Sequence, residues 1–208
     1  MKTAAPRATV ALAAATGAAF ILLSAALRGT VGEAVGGFIP ARLSGLVVPG
    51  ALPVWLTPLS ATLLHASLLH LAFNLLLLVF CGREDEVALG PAGLLVLYGV
   101  GAYAAAGAQY LAFPHSAVPM VGASGAISAL VGAYALLYGQ RRPSRLPREV
   151  ARWLHILWLA VAWLGLQLLV GLASSATGIM VATAAHVGGF VSGLLLARPL
   201  LRWRYRKA

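Results

Sequence analysis

Acidic residues are scarce in this chain. Among 208 residues only five are Asp or Glu, at Glu33, Glu84, Asp85, Glu86 and Glu149, against fifteen Lys and Arg. All five lie near or beyond the ends of long apolar runs, so no run carries a carboxylate at mid-depth. That excludes carboxylate-rich metal sites and carboxylate proton relays within the runs, and it denies a buried histidine the Asp of a Ser-His-Asp triad. Cysteine is rarer still: Cys81 stands alone, so no intrachain disulfide can form. Charge of either sign is thin, at 10% of residues, while 61% are hydrophobic and the mean hydropathy is +0.89. A soluble domain does not bury that much apolar surface, and the composition is that of an integral membrane protein.

What fills the chain is apolar runs of spanning length, for which roughly 20 residues suffice. They extend over about Thr9 to Leu27, Ala61 to Phe80, Pro91 to Ala112, Ser124 to Tyr138, Trp153 to Leu172 and Ile179 to Leu201. An all-α membrane protein with six spans in one domain, residues 1–208, is expected. Lys2 and Arg7 precede the first run as in a signal peptide, but the run outlasts a typical h-region, so a retained helix is expected. Between the first two runs lies a long connection with Gly and Pro punctuation and apolar patches at Phe38-Ile39, Leu46-Val47-Val48 and Val54-Trp55-Leu56. It reads as a loop partly embedded in the outer interface, with Trp55 as a possible anchor. A charged turn, Arg83-Glu84-Asp85-Glu86, should close the second span.

The net charge of +10 raises the question of nucleic acid, but the basic residues sit at the ends of apolar runs, as topology signals do. With both termini inside, every Lys and Arg except Arg28 and Arg42 falls on the inner side. The expected location is therefore a multi-pass place in a cytoplasmic membrane with both ends cytoplasmic. The expected surroundings are lipid, without nucleic acid.

Polar groups inside the runs carry the functional signal. Val121-Gly122-Ala123-Ser124-Gly125 opens the fourth run, where free N–H groups and the positive end of the helix dipole favour a developing negative charge. Gly, Ala and Ser also let helices pack closely in bilayers, so this stretch alone decides nothing. His70 and Asn74 share one face of the second run, four residues apart, and His186 lies in the sixth. At 1.5 Å per residue from the inner charged markers, Ser124 lies about 25 Å up, His70 about 20 Å and His186 about 18–24 Å. Runs two, four and six travel in the same direction, so one layer collects Ser124, His186, His70 and Asn74. Ala185, Gly189, Gly193 and Ala197 recur every four positions, as do Gly125, Ala129 and Ala133, and close approach of these faces would bring Ser124 to His186. His155 sits near the inner edge and reads as interfacial. A His/Ser/Asn set without Cys or acid suits zinc poorly, so no metal or other cofactor is expected. The chemistry left is a serine–histidine dyad.

These motifs resemble the rhomboid family of intramembrane serine proteases. The resemblance rests on Gly122-Ala123-Ser124-Gly125, on His65, His70 and Asn74, on Gly82-Arg83-Glu84-Asp85-Glu86, and on Ala185-His186-Val187-Gly188-Gly189, in that family's order over about Trp55 to Ala197. It implies a six-helix core with a half-embedded first loop and, as partners, transmembrane protein substrates. Residue by residue it implies Ser124 as nucleophile and His186 as general base. It implies an oxyanion site of His70, Asn74 and the Ser124 N–H, with Gly122 permitting close approach and His65 in support. Two departures from the family's pattern stand out: Trp55 and Arg42 are not adjacent, and Ser128 stands where some members place an aromatic. Two other readings remain open. One is a non-proteolytic rhomboid-like chaperone or binding protein; the other is a haem-carrying electron-transfer protein with His70 and His186 as axial ligands.

Overall fold

The computed structural model of the chain describes residues 6–26, 30–139, 146–175 and 182–206. It is helical, with α1 (Arg7–Ala26), α2 (Thr30–Gly36), α3 (Thr57–Ser60), α4 (Leu68–Ala112), α5 (Ser124–Tyr138), α6 (Arg148–Ser175) and α7 (Thr183–Arg204). Helices α4 and α7 are long and apolar enough to cross a membrane. Large apolar side chains face outward, among them Ile21, Leu69, Leu76, Leu111, Trp158 and Leu195. So much exposed apolar surface has no place in water and fits a lipid-facing exterior.

The charged stretch at Arg83–Glu86 is not a turn. Helix α4 runs straight through it, and the chain reverses at Gly90, whose φ of 77° and ψ of 166° break the helix just before Pro91. Glycine tolerates that backbone and proline cannot continue the preceding hydrogen-bond ladder, so the pair makes the bend that the charges only adjoin. The acids there have an inward task. Glu86, 6% exposed, accepts from the backbone N–H of Ala8 (3.0 Å) and of Thr9 (2.8 Å), and from the Thr9 hydroxyl (2.7 Å). It thereby caps the first turn of α1, where unpaired N–H groups and the helix dipole welcome a carboxylate. Asp85 beside it is fully buried, yet neither of its oxygens has a hydrogen-bond partner among the described residues. The two neighbours should therefore respond oppositely to substitution. Glu86→Ala leaves buried donors unpaired at ~1–3 kcal/mol each and should lower the unfolding temperature in detergent by many degrees. Asp85→Asn keeps the shape without the unpaired carboxylate and should raise it. An Asp85→Asn protein less stable than the parent would mean that the carboxylate has a partner after all.

The second helical run starts later than hydropathy suggests. Ala61–Leu63 form a short 3-10 turn, and α4 begins only at Leu68. Ser67 sets that start: in extended conformation, its Oγ accepts from the His70 N–H at 3.1 Å. A serine hydroxyl at this position satisfies a donor that the helix cannot. The start of α7 is likewise Thr183; residues 176–181, which include the expected start near Ile179, lie outside the described set, as do Lys2, Arg28, Arg141, Arg142, Arg145 and Lys207.

The connection from α1 to α4 is not a free loop. Phe38 and Met120 exchange backbone hydrogen bonds of 3.0 and 2.8 Å, and Ala41 N–H reaches Ser116 O at 3.0 Å. Arg42 closes the segment on itself through Leu52 O at 2.8 Å, and Tyr103 of α4 donates to Trp55 O at 2.9 Å. The Trp55 ring itself is exposed, as an interfacial anchor would be. The main core lies between the two arms of α4, α5 and α7, around Leu78, Leu94, Leu97, Ile127 and Leu130. Helix α6 stands at the edge of this core, with α7 as its main neighbour.

Candidate active site

Three helices begin at the same place. Ser124 is the first residue of α5, His70 lies in the first turn of α4 and His186 in the first turn of α7. The late starts of α4 and α7 thus put both histidines at helix mouths rather than mid-helix. His186 Nε2 lies 2.7 Å from Ser124 Oγ, a hydrogen-bonding distance. His186 is 6% exposed, while Ser124 is half-buried.

Glycine makes this approach possible. A Cβ on Gly189 would run into Gly125 O and would stand 3.1 Å from Ser128 Cβ; one on Gly193 would run into Ala129 O. The expected small-residue faces of α5 and α7 therefore do meet, backbone against backbone. Gly125 also receives the second arm of α4, since a Cβ there would lie 2.6 Å from Ala105 Cβ. Ser128 occupies the space beneath the serine: it is fully buried and donates to Ser124 O at 2.7 Å. Small polar Ser128 fits there because it completes its hydrogen bond within its own helix.

Gly122 turns the chain into α5 with φ 112°. A Cβ on it would lie 2.6 Å from His70 Cε1 and 3.7 Å from Ser124 Oγ, so imidazole and hydroxyl border the same small volume. Its N–H is held by Ala61 O at 2.9 Å. His65 meets the His70 ring edge-on, with centroids 5.0 Å apart, and its Nε2 is 3.5 Å from the Ala123 N–H. Asn74 is buried one turn along from His70 and donates Nδ2–H to His70 O at 2.8 Å. One of its two amide hydrogens is thereby engaged and one remains. Ser124, His186, Gly122, His70 and His65 thus meet at one place, with Gly125 against Gly189 beside them and Asn74 a turn along α4 from His70. His155 is not among them: it packs against Gly139, near the other end of α5.

One neighbour was not anticipated. The Gln167 side chain of α6, 7% exposed, contacts His186 Nδ1. Its signal was present in the sequence, since an amide stands alone in the apolar stretch Leu164-Gly165-Leu166-Gln167-Leu168. Counted from Arg152, it lies about 22 Å up, level with His186.

The arrangement can do defined chemistry. An imidazole nitrogen faces a hydroxyl, as a general base faces a nucleophile. The N-terminal ends of α4, α5 and α7 converge on it, and each favours negative charge. Residues 53–203 match the family model of the Rhomboid domain. The chain is 38% identical over 141 residues to Rhomboid protease GlpG of Serratia proteamaculans, and 37% over 141 residues to proteins of that name from Yersinia pestis and Yersinia enterocolitica. Each match covers 66% of this chain and 45% of the relative, so the chain spans about half the length of the relatives it matches. With the family model covering well over half of its length, the chain belongs to the rhomboid family.

Proposed function

We propose that this protein is a serine endopeptidase that hydrolyses peptide bonds in or near transmembrane segments of other membrane proteins. The observation that carries the reading is the 2.7 Å approach of His186 Nε2 to Ser124 Oγ at the mouth of a buried helix junction. Ser124 Oγ attacks the scissile carbonyl as His186 Nε2 takes its proton; an acyl-enzyme forms, and His186 returns the proton to the leaving amine. Water, deprotonated by the same nitrogen, then releases the acyl group and restores Ser124. The oxyanion is held by the Ser124 N–H, His70 and the remaining Asn74 N–H, with the dipole of α5 behind them. A substrate helix hides its amides, so it must unwind locally to present one.

In this reading the molecule is a single domain with six spans. The two arms of α4 count as two of them, joined at Gly90, and α1, α5, α6 and α7 supply the rest. The segment between α1 and α4 lies partly in the outer leaflet. Both termini face the cytoplasmic side of a bacterial inner membrane, an orientation that the distribution of Lys and Arg supports. The haem alternative fits poorly, because both ring nitrogens of His186 already have protein partners. A purely binding role gives no reason to aim the histidine at the serine.

The test is cleavage of a single-span model substrate in proteoliposomes, with Ser124→Ala as control; intact substrate in the parental sample would refute the proposal. The oxyanion assignment has its own check. Loss of one donor typically slows such reactions ~10²–10³-fold. Asn74 already spends one amide hydrogen on His70 O, so Asn74→Ala should fall short of that, by about tenfold in kcat with little change in KM. An unaltered kcat would make Asn74 purely structural.

A further inference from the structure

A histidine can accept the serine proton at Nε2 only in one neutral tautomer, with its hydrogen on Nδ1. In a site this buried, an Nδ1–H without an acceptor is costly. The demand grows during the reaction, because the imidazolium carries N–H on both sides. Elsewhere a carboxylate meets this need. Here the five acids lie elsewhere: Glu84, Asp85 and Glu86 are near the far end of the first arm of α4, Glu149 opens α6 some four to five turns before Gln167, and Glu33 is in α2. Ser124 occupies the other ring nitrogen.

Resting on the dyad reading, we propose that Gln167 is a positioning residue, whose side-chain oxygen accepts from His186 Nδ1–H and so holds the base in its productive tautomer and orientation. In the structure the amide nitrogen of Gln167 faces Nδ1. The two ends of a carboxamide have the same shape, and half a turn about the last side-chain bond exchanges them. With the nitrogen toward the ring, Nδ1 must be the acceptor and Nε2 carries the hydrogen, which points the wrong way for taking a proton from Ser124. With the oxygen toward the ring, Nδ1 is the donor and the Nε2 lone pair faces the hydroxyl. Catalysis selects the second arrangement. The pairing also ties α6 to the base.

The experiment compares Gln167→Met, which keeps the length without an acceptor, and Gln167→Glu, which as a carboxylate offers only acceptors. Turnover of a single-span substrate is read beside ¹⁵N NMR of the histidine rings in the full-length protein, with the His186 signals assigned by their loss in His186→Ala. Expected for the parent is a His186 ring protonated at Nδ1 and not at Nε2. Gln167→Met should show a mixture of tautomers and a kcat reduced about 10- to 100-fold at unchanged KM. Gln167→Glu should restore both the tautomer and most of the rate. Parental kcat and tautomer in Gln167→Met would overturn the proposal, as would a Gln167→Glu protein that is folded by thermal unfolding yet as slow as Gln167→Met. If Ser124→Ala is inactive while Gln167→Met is fully active, only this inference fails. If Ser124→Ala itself turns over substrate, the dyad falls and the inference with it.

Discussion

Replacing Ser124 by alanine should reduce cleavage of a membrane-embedded substrate to the background of the assay, a loss of at least ~10³-fold. The side chain lost is one hydroxyl, half-buried and hydrogen-bonded to His186. Packing around it is set by backbone contacts of Gly125 and Gly189 that the substitution does not touch. The unfolding temperature in detergent should therefore stay within a few degrees of the parent. His186→Ala should be equally inactive, and the double variant no worse than either, because nucleophile and base act as a unit. A fluorophosphonate probe separates the two roles. It needs the nucleophile itself, so Ser124→Ala should take up no label, whereas His186→Ala retains the hydroxyl and should label only slowly. Label on the Ser124→Ala protein, or substantial turnover by it, would place the nucleophile elsewhere.

Much of this site could be read from residue spacing, and the reason is geometric. Ser124, His70 and His186 lie on helices running in the same direction, so depth counted at 1.5 Å per residue suffices to bring them level. The four-residue recurrence of Gly and Ala in α5 and α7 likewise encodes a contact face, and the structure puts Gly189 on Gly125 and Gly193 on Ala129. Helix starts were less legible. An apolar run shows where a helix could be, not where it begins, and Ala61 to Ser67 is apolar enough to hide the capping role of Ser67. The charged stretch misled for a related reason. Charges suggest a turn, but Glu86 points inward to cap α1, a pairing across 77 and 78 residues that no local pattern announces. Gln167 is hard to single out because the scarcity of acids speaks only to carboxylate partners for the base, and a lone amide in an apolar stretch carries no motif. A neutral amide meets the same hydrogen-bonding requirement at a smaller desolvation penalty.

Gly189 offers the most severe test of how the pair is assembled. Both Gly189 and Gly193 of α7 lie against carbonyl oxygens of α5, so that even a methyl group at either position overlaps a backbone atom. Backbone cannot rotate aside as a side chain can, and the helices must separate. Overpacking of this kind commonly costs ~1–3 kcal/mol, so Gly189→Leu and Gly193→Leu should both unfold at lower temperature. Their effects on rate should differ. Gly189 is three residues from His186, and pushing α7 away there lengthens the gap to Ser124 directly. A displacement of about 1 Å can slow a reaction ~10²-fold, so Gly189→Leu should lose at least that much kcat while still folded at the assay temperature. Gly193 is a further turn away, where α7 can tilt about the contact at Gly189 and spare part of the alignment. Its variant should be similarly destabilised but about tenfold faster than Gly189→Leu. Gly189→Ala, with the smallest possible overlap, should fall between the parent and Gly189→Leu in both measurements. A Gly189→Leu protein with parental stability and turnover would mean that α7 presents another face to α5 in the membrane, and that Ser124 and His186 are brought together in some other way.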